Sequence, residues 1–558
     1  MIKKLISKVK NDKEFKFEIL VILLIILFSI SISPKTLQND TYYTVKIGEL
    51  ILNNGIDMQD HFSWHELPYT YPHWLYDVGM FLIYNIGGWL GIYISTCVLS
   101  SILGISVYKV NKKLNKNQLI SFLITLGSMY MLKSYIAARA QLVTFILFVI
   151  FIYFIEKFLE NKKIKYAVGM VIISLIIANI HVATWPFIFV LFMPYIAEWI
   201  ISIVRDWIIY RKISTLYYKS KINSIEKQAN TSEKLKSKLK KYSKKLIEIE
   251  NKNEKIKEER KKEEKYKIII TKNPNVKWLI IVMIICALAG FLTPLGDTPF
   301  TYLYKTMQGN TTQNINEHLP LTLIKSTPIM CTITIFLAVL TFTKCKIRLS
   351  DLFMISGLCY LMFSSKRQST MFVLIGGIIL NRLIIQLFEI YGICKIKDLT
   401  KNTINKFTTF VITAVVIIMS MQYINDLLDD EYVNESSYPV KASEWILKNL
   451  DVSQIKLFNE YNFGSYLLYK DIPVFIDSRA DLYTPEFNGD SGKNIFSDFL
   501  NADNTGTYYG SIFEKYEVTH IIVYKGSKIN MFIKNADSEK YELLYSDDDF
   551  VVYKILNY

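Results

Sequence analysis

The residues best placed to do chemistry lie in one polar segment, residues 34–73, directly after the first apolar run. Asp40 follows that run, and Asp57, Asp60 and His61 come later among aromatic residues. A carboxylate at the edge of a membrane can act as a general base towards a hydroxyl group. It can also help to bind a divalent metal ion that neutralises a phosphate leaving group. The alternative is that Asp40 only caps the helix that follows it.

Basic residues at the ends of other apolar runs could bind a phosphate on the same face. Arg139 begins one run, and Lys366 and Arg367 lie between two others. A guanidinium can hold a phosphate through two parallel hydrogen bonds. The alternative is that these long side chains reach the lipid headgroups or pair with acidic residues across the bundle. We expect Lys366 and Arg367 to bind a phosphate or an acidic partner, because a basic pair is uncommon on that face.

Near the end of the chain, VFIDSRADLY (474–483) places Asp477, Arg479 and Asp481 at alternate positions after an apolar run. The run predicts a short strand, and ligands of open α/β sheets gather at strand ends. Asp477, Arg479 and Asp481 are therefore candidates for contact with an acceptor or with the loop at 34–73. An ion pair between the two that only fixes the turn is an equal alternative.

Long apolar runs set the class of the protein, because a membrane-spanning helix needs about 20 mostly apolar residues. Of the 558 residues, 51% are hydrophobic. The predicted fold is mainly α: a polytopic membrane helix bundle with a C-terminal extracytoplasmic α/β domain. The apolar segments are 17–33, 74–108, 118–136, 142–158, 165–181, 183–204, 276–294, 324–343, 350–364, 369–387 and 405–424.

The basic loops predict the orientation, because Lys and Arg accumulate on the cytoplasmic side. The run 74–108 is broken at Gly87 and Gly88, and it could cross once or twice. If 74–108 crosses the membrane once, with a short embedded or interfacial helix at 74–86, every basic loop lies on the cytoplasmic side. We therefore predict about eleven crossings of the plasma membrane, with the N-terminus cytoplasmic and the C-terminal domain outside.

Four parts follow from these patterns. Outer residues 40–55 show helical spacing and predict an amphipathic surface helix ended by Asn54 and Gly55. The insert, residues 205–272, is rich in Lys and Glu, and the heptad spacing from Leu235 to Ile256 predicts a coiled coil. This coiled coil could dock a cytoplasmic partner, although an insertion without chemistry is favoured. The predicted parts are an N-terminal bundle (1–204), the cytoplasmic insert (205–272), a second bundle (273–425) and the α/β domain (431–558).

No phosphate-binding GxxxxGK[ST], HExxH or GxSxG motif of a soluble enzyme occurs. The formal charge of +15 comes mainly from the insert and the loop ends, so we expect no nucleic-acid partner. Six cysteines lie scattered without CxxC spacing, which predicts neither a zinc site nor a disulfide framework.

Several stretches, in this order along the chain, resemble GT-C-type membrane glycosyltransferases. The closer likeness is to a bacterial, largely uncharacterised branch related to the dolichyl-phosphate-mannose mannosyltransferase superfamily. The resemblance covers nearly the whole chain except 205–272. The stretches are DTYYTVKIGELILNNG, HFSWHELPYTYPHWLYD, RAQLVTFILFVIFIYFIE, ANIHVATWPFIF, NEHLP, SKRQSTMFVL, FNEYNFGSYLLY and PVFIDSRADLY.

The resemblance implies a glycosyltransferase that uses a polyprenyl-phosphate-linked sugar at the outer leaflet, with a glycan, protein or lipid of the envelope as acceptor. It implies Asp40 as the catalytic base and leaves a divalent metal ion open as a cofactor. Three departures from the family pattern occur: Asn39 precedes Asp40 in place of an acidic residue, Ala140 replaces a proline, and His73 replaces a glutamate. The substrate-binding candidates are Glu49, Asp57, Asp60, His61, His73, Arg139, His181, Glu317, Lys366, Arg367, Asp477 and Arg479.

Two other classes of function compete with this one. A transporter of envelope precursors predicts ionisable residues in mid-span and internal repeats. The charged residues of the spans lie mainly at their outer ends, which weakens that hypothesis. A non-catalytic membrane scaffold, using the insert inside and the α/β domain outside, is the third hypothesis.

Overall fold

A computed structural model describes residues 13–208, 215–226, 233–263, 266–392, 406–489, 492–504 and 506–558. Cys394 and most of the basic loop at 395–406 lie outside the described residues. The helices up to residue 429 are α1 (Lys13–Ser31), α2 (Asn39–Asn54), α3 (Trp74–Asn115), α4 (Gln118–Leu132), α5 (Ala140–Asn161), α6 (Ile164–Ile180), α7 (Phe187–Ile208), α8 (Leu216–Glu226), α9 (Glu233–Glu263), α10 (Val276–Ala289), α11 (Thr298–Gln308), α12 (Thr311–Asn314), α13 (Thr327–Phe342), α14 (Leu349–Ser364), α15 (Ser369–Met371), α16 (Gly377–Ile390) and α17 (Lys406–Asp429). A π-helical turn, Phe372–Gly376, joins α15 to α16.

The apolar helices identify a membrane-embedded protein. Within the described ranges, five helical segments are long and apolar enough to cross a membrane: Trp74–Asn115, Ala140–Asn161, Val182–Ile208, Lys366–Ile390 and Phe407–Asp429. Shorter apolar helices accompany them: α6, α10, α13 and α14. The number of crossings therefore stays a prediction.

Helix α3 bends where the sequence predicts a break. Gly88 has a φ of 57° and a ψ of −150°, a conformation that side chains other than glycine rarely adopt. The residues before Gly88 can therefore take a different direction from the long apolar stretch after it.

The C-terminal part contains a four-stranded sheet. Its strands, in order across the sheet, are β3 (Leu457–Asn459), β4 (His520–Tyr524), β6 (Phe550–Ile555) and β5 (Tyr541–Ser546). Its first pair is parallel and the other two pairs are antiparallel, so the sheet is mixed. The strand β4 is almost wholly buried, as expected of a central strand covered on both faces. The remaining elements are β1 (Ile268–Ile269), β2 (Ile347–Arg348), α18 (Val440–Asn449), α19 (Tyr461–Tyr469), α20 (Pro485–Asn488), α21 (Ile495–Asp503), α22 (Tyr509–Lys515) and α23 (Lys528–Asn535).

The stretch PVFI was predicted to be a strand of this sheet, and that prediction is wrong. Val474 instead forms an isolated bridge with Ser63 in the outer loop, where its N–H donates to the Phe62 carbonyl over 3.1 Å. Asn459 fixes the other side, because its Oδ1 accepts from the Phe475 N–H over 2.9 Å. The outer loop takes the place that a neighbouring strand would occupy.

Helix α2 is packed between protein elements, whereas we expected it on the membrane surface. Its residues Tyr42, Tyr43 and Ile47 are buried in a core shared by the outer loop and the C-terminal part. The ring of Tyr42 lies 4.9 Å from that of Tyr438 and 5.1 Å from that of Tyr466. The helix ends at Gly55 as predicted.

Within the described part of the insert, α8 and α9 contact each other. Lys219 pairs with Glu250 over 3.3 Å, and the rings of Tyr218 and Tyr242 lie 6.1 Å apart. The coiled coil itself stays a prediction.

Candidate functional site

A cavity of about 570 Å³ lies between the helix bundle and the C-terminal part. The bundle side contributes α2, the residue before α5 and the loop before α13. The C-terminal side contributes the start of α19, the turn at 478–482 and α21. Seven of the candidate residues line this cavity: Asp40, His73, Arg139, His181, Glu317, Arg367 and Arg479.

Asp40 lies in the first turn of α2, where its carboxylate faces a guanidinium. The helix begins after Gln38, so Asp40 is not the capping residue, and the capping alternative is wrong. Oδ2 of Asp40 lies 3.0 Å from Nε of Arg139. The Nε–H does not point at that oxygen in hydrogen-bond geometry, so the contact is an ion pair rather than a hydrogen bond.

Arg139 bridges two carboxylates. Its Nη1 donates to Oε1 of Glu317 over 3.2 Å and to Oε2 over 3.4 Å. Burial alone would lower the pKa of Arg139, but Asp40 and Glu317 outweigh it and raise that pKa above its usual value. Burial would likewise raise the pKa of Glu317, and the guanidiniums of Arg139 and Arg367 hold it below its ordinary value. Arg139 thus favours the charged form of Glu317 at low dielectric.

The sequence left a divalent metal ion open as a cofactor. Within the described ranges, no group of three His, Cys, Asp or Glu side chains comes together in a way that could hold one. Arg139 lies between Asp40 and Glu317, the two carboxylates nearest to the proposed chemistry. The arrangement therefore does not fit a metal site, and no step below uses one.

Arg367 differs from Arg139 in its partners. Its Nη2 donates to Oε1 of Gln141 over 3.3 Å, and no acidic side chain forms an ion pair with it in the part of the chain that the structure describes. Its backbone N–H is held by the Glu317 carbonyl at 2.9 Å. A half-buried guanidinium held by a neutral amide keeps the capacity to bind an anion from solution.

Lys366, although adjacent in sequence, does not line this cavity. Its backbone N–H donates to the Leu319 carbonyl over 2.8 Å, and the residue lines a second cavity on the other side of the same turn. The basic pair that the sequence predicts as one unit is therefore divided between two cavities.

Two histidines stand beside the arginines. The ring centroids of His73 and His181 are 4.9 Å apart, and Nδ1 of His181 is buried without a hydrogen-bond partner in the described structure. Burial, together with Arg367 and Arg139, lowers the pKa of His73 to about 3. Burial, His73 and the two arginines lower the pKa of His181 well below its ordinary value. Both rings are therefore neutral at physiological pH.

A small void connects these groups. It has a volume of about 30 Å³ and is lined by Asp40, both histidines and both arginines. This volume holds about one water molecule, and the polar lining offers the partners that a buried water needs.

Arg479 forms a buried ion network with two other candidates. It pairs with Asp477 through Nη2 at 2.7 Å and through Nε at 2.9 Å. Its Nη1 contacts Oδ1 of Asp60 at 2.7 Å, and Tyr483 donates to Asp477 over 2.6 Å. Burial would lower the pKa of Arg479, but the two carboxylates raise it well above its usual value. The network joins the outer loop to the C-terminal part.

The other candidates lie away from the cavity. Asp57 contacts His61 at 2.5 Å and accepts from the Tyr71 hydroxyl over 2.9 Å. Glu49 pairs with Lys46 at 2.9 Å, on the side of α2 that faces Asp471. The structure does not bring these residues to the Asp40 group.

Sequence reasoning missed two acidic residues that line the cavity, Glu460 and Asp503, and pointed to a third, Asp481. Asp481 accepts hydrogen bonds from the hydroxyls of Tyr302 (3.0 Å), Thr306 (3.1 Å) and Thr311 (2.8 Å). Burial raises the pKa of Glu460 to about 7, although the Tyr524 N–H partly opposes this at 3.0 Å. The alternation in VFIDSRADLY pointed to Asp481, whereas nothing in the pattern distinguishes Glu460 from a surface glutamate.

No family model and no curated protein sequence matches the chain. Among solved structures, the fold is similar to the archaeal oligosaccharyltransferase AglB from Archaeoglobus fulgidus in complex with an inhibitory peptide and a dolichol-phosphate. The TM-score is 0.53 at 11% identity, and the match covers 95% of this chain and 71% of that chain. At this identity the likeness shows that the chain shares the fold of that protein, and the GT-C family with its bacterial branch stays a prediction.

Proposed function

We propose that this protein is a GT-C-type membrane glycosyltransferase that moves a sugar from a polyprenyl-phosphate donor to an acceptor of the cell envelope. One observation carries the proposal. Asp40 and Arg367 line the same cavity. A carboxylate that can accept a proton therefore shares a space with a guanidinium that forms no ion pair within the described residues. These are the two charges that transfer of a sugar from a lipid phosphate requires.

The chemistry follows from their positions. Asp40 accepts the proton of an acceptor hydroxyl, whose oxygen attacks the anomeric carbon of the donor sugar. The bond from that carbon to the phosphate oxygen breaks, and the lipid phosphate leaves with the bonding electrons. Arg367 stabilises the negative charge that develops on this phosphate. The neutral rings of His73 and His181 add N–H donors beside it.

Arg139 takes a positioning role in this scheme. Because it is occupied by Asp40 and Glu317, it has less capacity than Arg367 to bind a further anion. Its ion pair holds the Asp40 carboxylate towards the cavity and away from the buried end of α2. Arg479 lines the cavity, and its ion network with Asp477 and Asp60 fixes the outer loop in place.

The structural neighbour supports a lipid donor and an acceptor as partners. AglB was solved with a dolichol-phosphate and a peptide, which are a lipid phosphate and a polymer. For this chain we propose a polyprenyl phosphate as carrier, in a cavity that opens towards the outer leaflet of the plasma membrane. A glycan, a protein and a lipid all carry the hydroxyl that the reaction needs.

The orientation has a direct test. We propose a cytoplasmic insert and an extracytoplasmic C-terminal part, so tags within residues 233–263 and at Tyr558 should become accessible from opposite sides of the membrane. Accessibility of both tags from the same side would contradict the orientation.

The function is tested by profiling lipid-linked sugars and surface glycans in a strain that lacks the gene. The proposal predicts accumulation of one lipid-linked sugar and loss of one surface glycan. Wild-type protein should restore both, and the Asp40→Asn variant, expressed at the same level in the membrane, should not. An unchanged profile in the deletion strain would overturn the proposal.

A further inference from the structure

A second cavity, of about 700 Å³, lies behind the turn that carries Lys366 and Arg367. It is formed by the ends of α1, α4 and α17 and by the start of α13. The Tyr135 hydroxyl donates to the Lys366 carbonyl over 3.1 Å and closes the wall between the two cavities. The proposed transfer reaction uses no residue of this second cavity.

The lining carries both signs of charge in separate groups. Lys133, Lys325 and Lys366 supply three ammonium groups, and Asp426 and Asp430 supply two carboxylates. No ion pair joins these lysines to these aspartates anywhere in the described ranges. Each group therefore keeps the capacity to bind a charge of the opposite sign.

One lysine shows how the site is held. Nζ of Lys133 lies 3.9 Å from the ring centroid of Tyr423, which is the distance of a cation–π contact. Lys133 belongs to the turn after α4, and Tyr423 belongs to α17, one turn before Asp426. This contact places an ammonium group and a carboxylate near the same end of two apolar helices.

The surroundings of the cavity are apolar and exposed. Ile32, Ile136 and Ile329 line it, and the neighbouring side chains of Ile324 and Leu428 are 92% and 73% exposed. The window of α17 that is apolar enough to cross a membrane is only 11% buried, so this helix presents most of its surface outwards. Hydrocarbon chains would cover such a surface in a membrane-embedded protein.

We propose that the second cavity binds the headgroup of a membrane phospholipid that carries both a phosphate and an amine. The three lysines bind the phosphate, and Asp426 and Asp430 bind the amine. The acyl chains lie along the exposed faces of α13 and α17. This inference is independent of the proposed transferase activity, because it uses different residues and a different ligand.

The two charged groups explain why an amine is required. A site for a simple anionic lipid needs lysines alone, since carboxylates in the same cavity repel a second negative charge. A headgroup with a phosphate next to an ammonium group matches both charged groups of the lining, the lysines and the aspartates. Phosphatidylethanolamine has this headgroup, phosphatidylglycerol lacks the amine, and phosphatidylcholine has a quaternary amine without N–H donors.

The test is lipid titration of the purified full-length protein in detergent, with bound lipid counted by native mass spectrometry. The probes are phosphatidylethanolamine, phosphatidylglycerol and phosphatidylcholine of equal chain length. We expect phosphatidylethanolamine to bind about fivefold more tightly than phosphatidylglycerol, the factor that one partly exposed ion pair supplies. Equal or tighter binding of phosphatidylglycerol would overturn the proposal.

Two variants separate the charges. The triple variant Lys133→Gln, Lys325→Gln and Lys366→Gln should weaken binding of phosphatidylethanolamine and phosphatidylglycerol by roughly tenfold. The double variant Asp426→Asn and Asp430→Asn should bind both lipids equally.

The matched control removes three lysines where α5 ends and α6 begins, by Lys162→Gln, Lys163→Gln and Lys165→Gln. This control should bind both lipids as the wild type does. If the control weakens binding as much as the triple variant does, the effect is one of total charge and the site is refuted.

Discussion

Nε of Arg139 lies 3.0 Å from Oδ2 of Asp40, and the same guanidinium contacts Glu317 through Nη1. These three residues come from α2, from the start of α5 and from the loop before α13. The position of Asp40, the proposed base, is thus set by charge pairing with residues from two other parts of the bundle.

Replacing Arg139 by Gln should misplace Asp40 without removing it. We expect kcat for sugar transfer to fall by about 10²-fold, the cost of a base displaced by about 1 Å, with a smaller change in KM for the donor. Burial would then act on Glu317 without its main opposing charge, so the pKa of Glu317 should rise. The pH profile of kcat should therefore shift to higher pH. Lys157→Gln, which removes a pair with Glu160, should leave the profile unchanged.

Arg367 and Lys366 should differ although they are neighbours. Arg367→Gln removes the guanidinium that faces the main cavity, and we expect KM for the lipid-phosphate donor to rise roughly tenfold or more, since hydrogen bonds to charged groups contribute about 1.5–3 kcal/mol. Lys366→Gln should raise that KM much less, because Lys366 lines the other cavity. Equal effects of the two substitutions on donor KM would contradict the division of the pair.

The histidine next to Arg139 and Arg367 predicts how stability depends on pH. The pKa of His73 is lowered to about 3 in the folded protein, whereas an unfolded histidine titrates near 6.5. Between these values the unfolded chain binds more protons, so stability falls as the pH falls below about 6.5, by up to about 1.4 kcal/mol per pH unit for each such histidine.

Thermal unfolding in detergent measures this dependence. The midpoint should fall between pH 7 and pH 5 in the wild type, and it should fall less in His73→Asn. A His73→Asn variant with an unchanged slope would show that His73 carries its proton differently in the folded state.

The network around Arg479 predicts a loss of stability that is independent of catalysis. Arg479→Met leaves the buried carboxylates of Asp477 and Asp60 without their cation, which costs about 3–5 kcal/mol. Asp60→Asn leaves Arg479 paired with Asp477 and should cost less. The side chains of Arg479 and Asp60 are only 3% and 0% exposed, so solvent offers little compensation. Lys515→Met removes a pair whose lysine is 47% exposed and should cost less than about 1 kcal/mol.

The midpoint of thermal unfolding and the rate of proteolysis of the outer loop at 55–73 would both report this difference. In both measurements Arg479→Met and Asp60→Asn should be less stable than Lys515→Met. The opposite order would mean that the outer loop is held mainly by its apolar contacts.

Local patterns predicted the elements of this fold better than its long-range contacts. The helical spacing after Asp40 gave α2 with its end at Gly55. The strand predicted at PVFI failed because its partner is the loop residue Ser63, about 400 positions earlier in the chain. No sequence period records such a pairing.

The candidate site shows the same limit. Asp40, Arg139 and Arg367 were recognisable because each is a charge at the end of an apolar run. Their division of roles was not recognisable, because it depends on contacts between distant residues. Among the described residues, the guanidinium of Arg139 pairs with Glu317, whereas that of Arg367 bonds to the neutral Gln141. Glu460 was missed because its burial comes from the sheet beside it, which a single stretch of sequence does not reveal.

The most direct test of the account uses the lipid extract of the deletion strain as the source of the donor. Purified wild-type protein, added to this extract together with a cell-envelope fraction, should consume the accumulated lipid-linked sugar, as followed by mass spectrometry. Asp40→Asn should consume it at least about 10²-fold more slowly, the range expected for loss of a general base. The control Asp471→Asn, at an exposed residue that pairs with Lys46, should match the wild type. Consumption by Asp40→Asn at the wild-type rate would contradict the central claim.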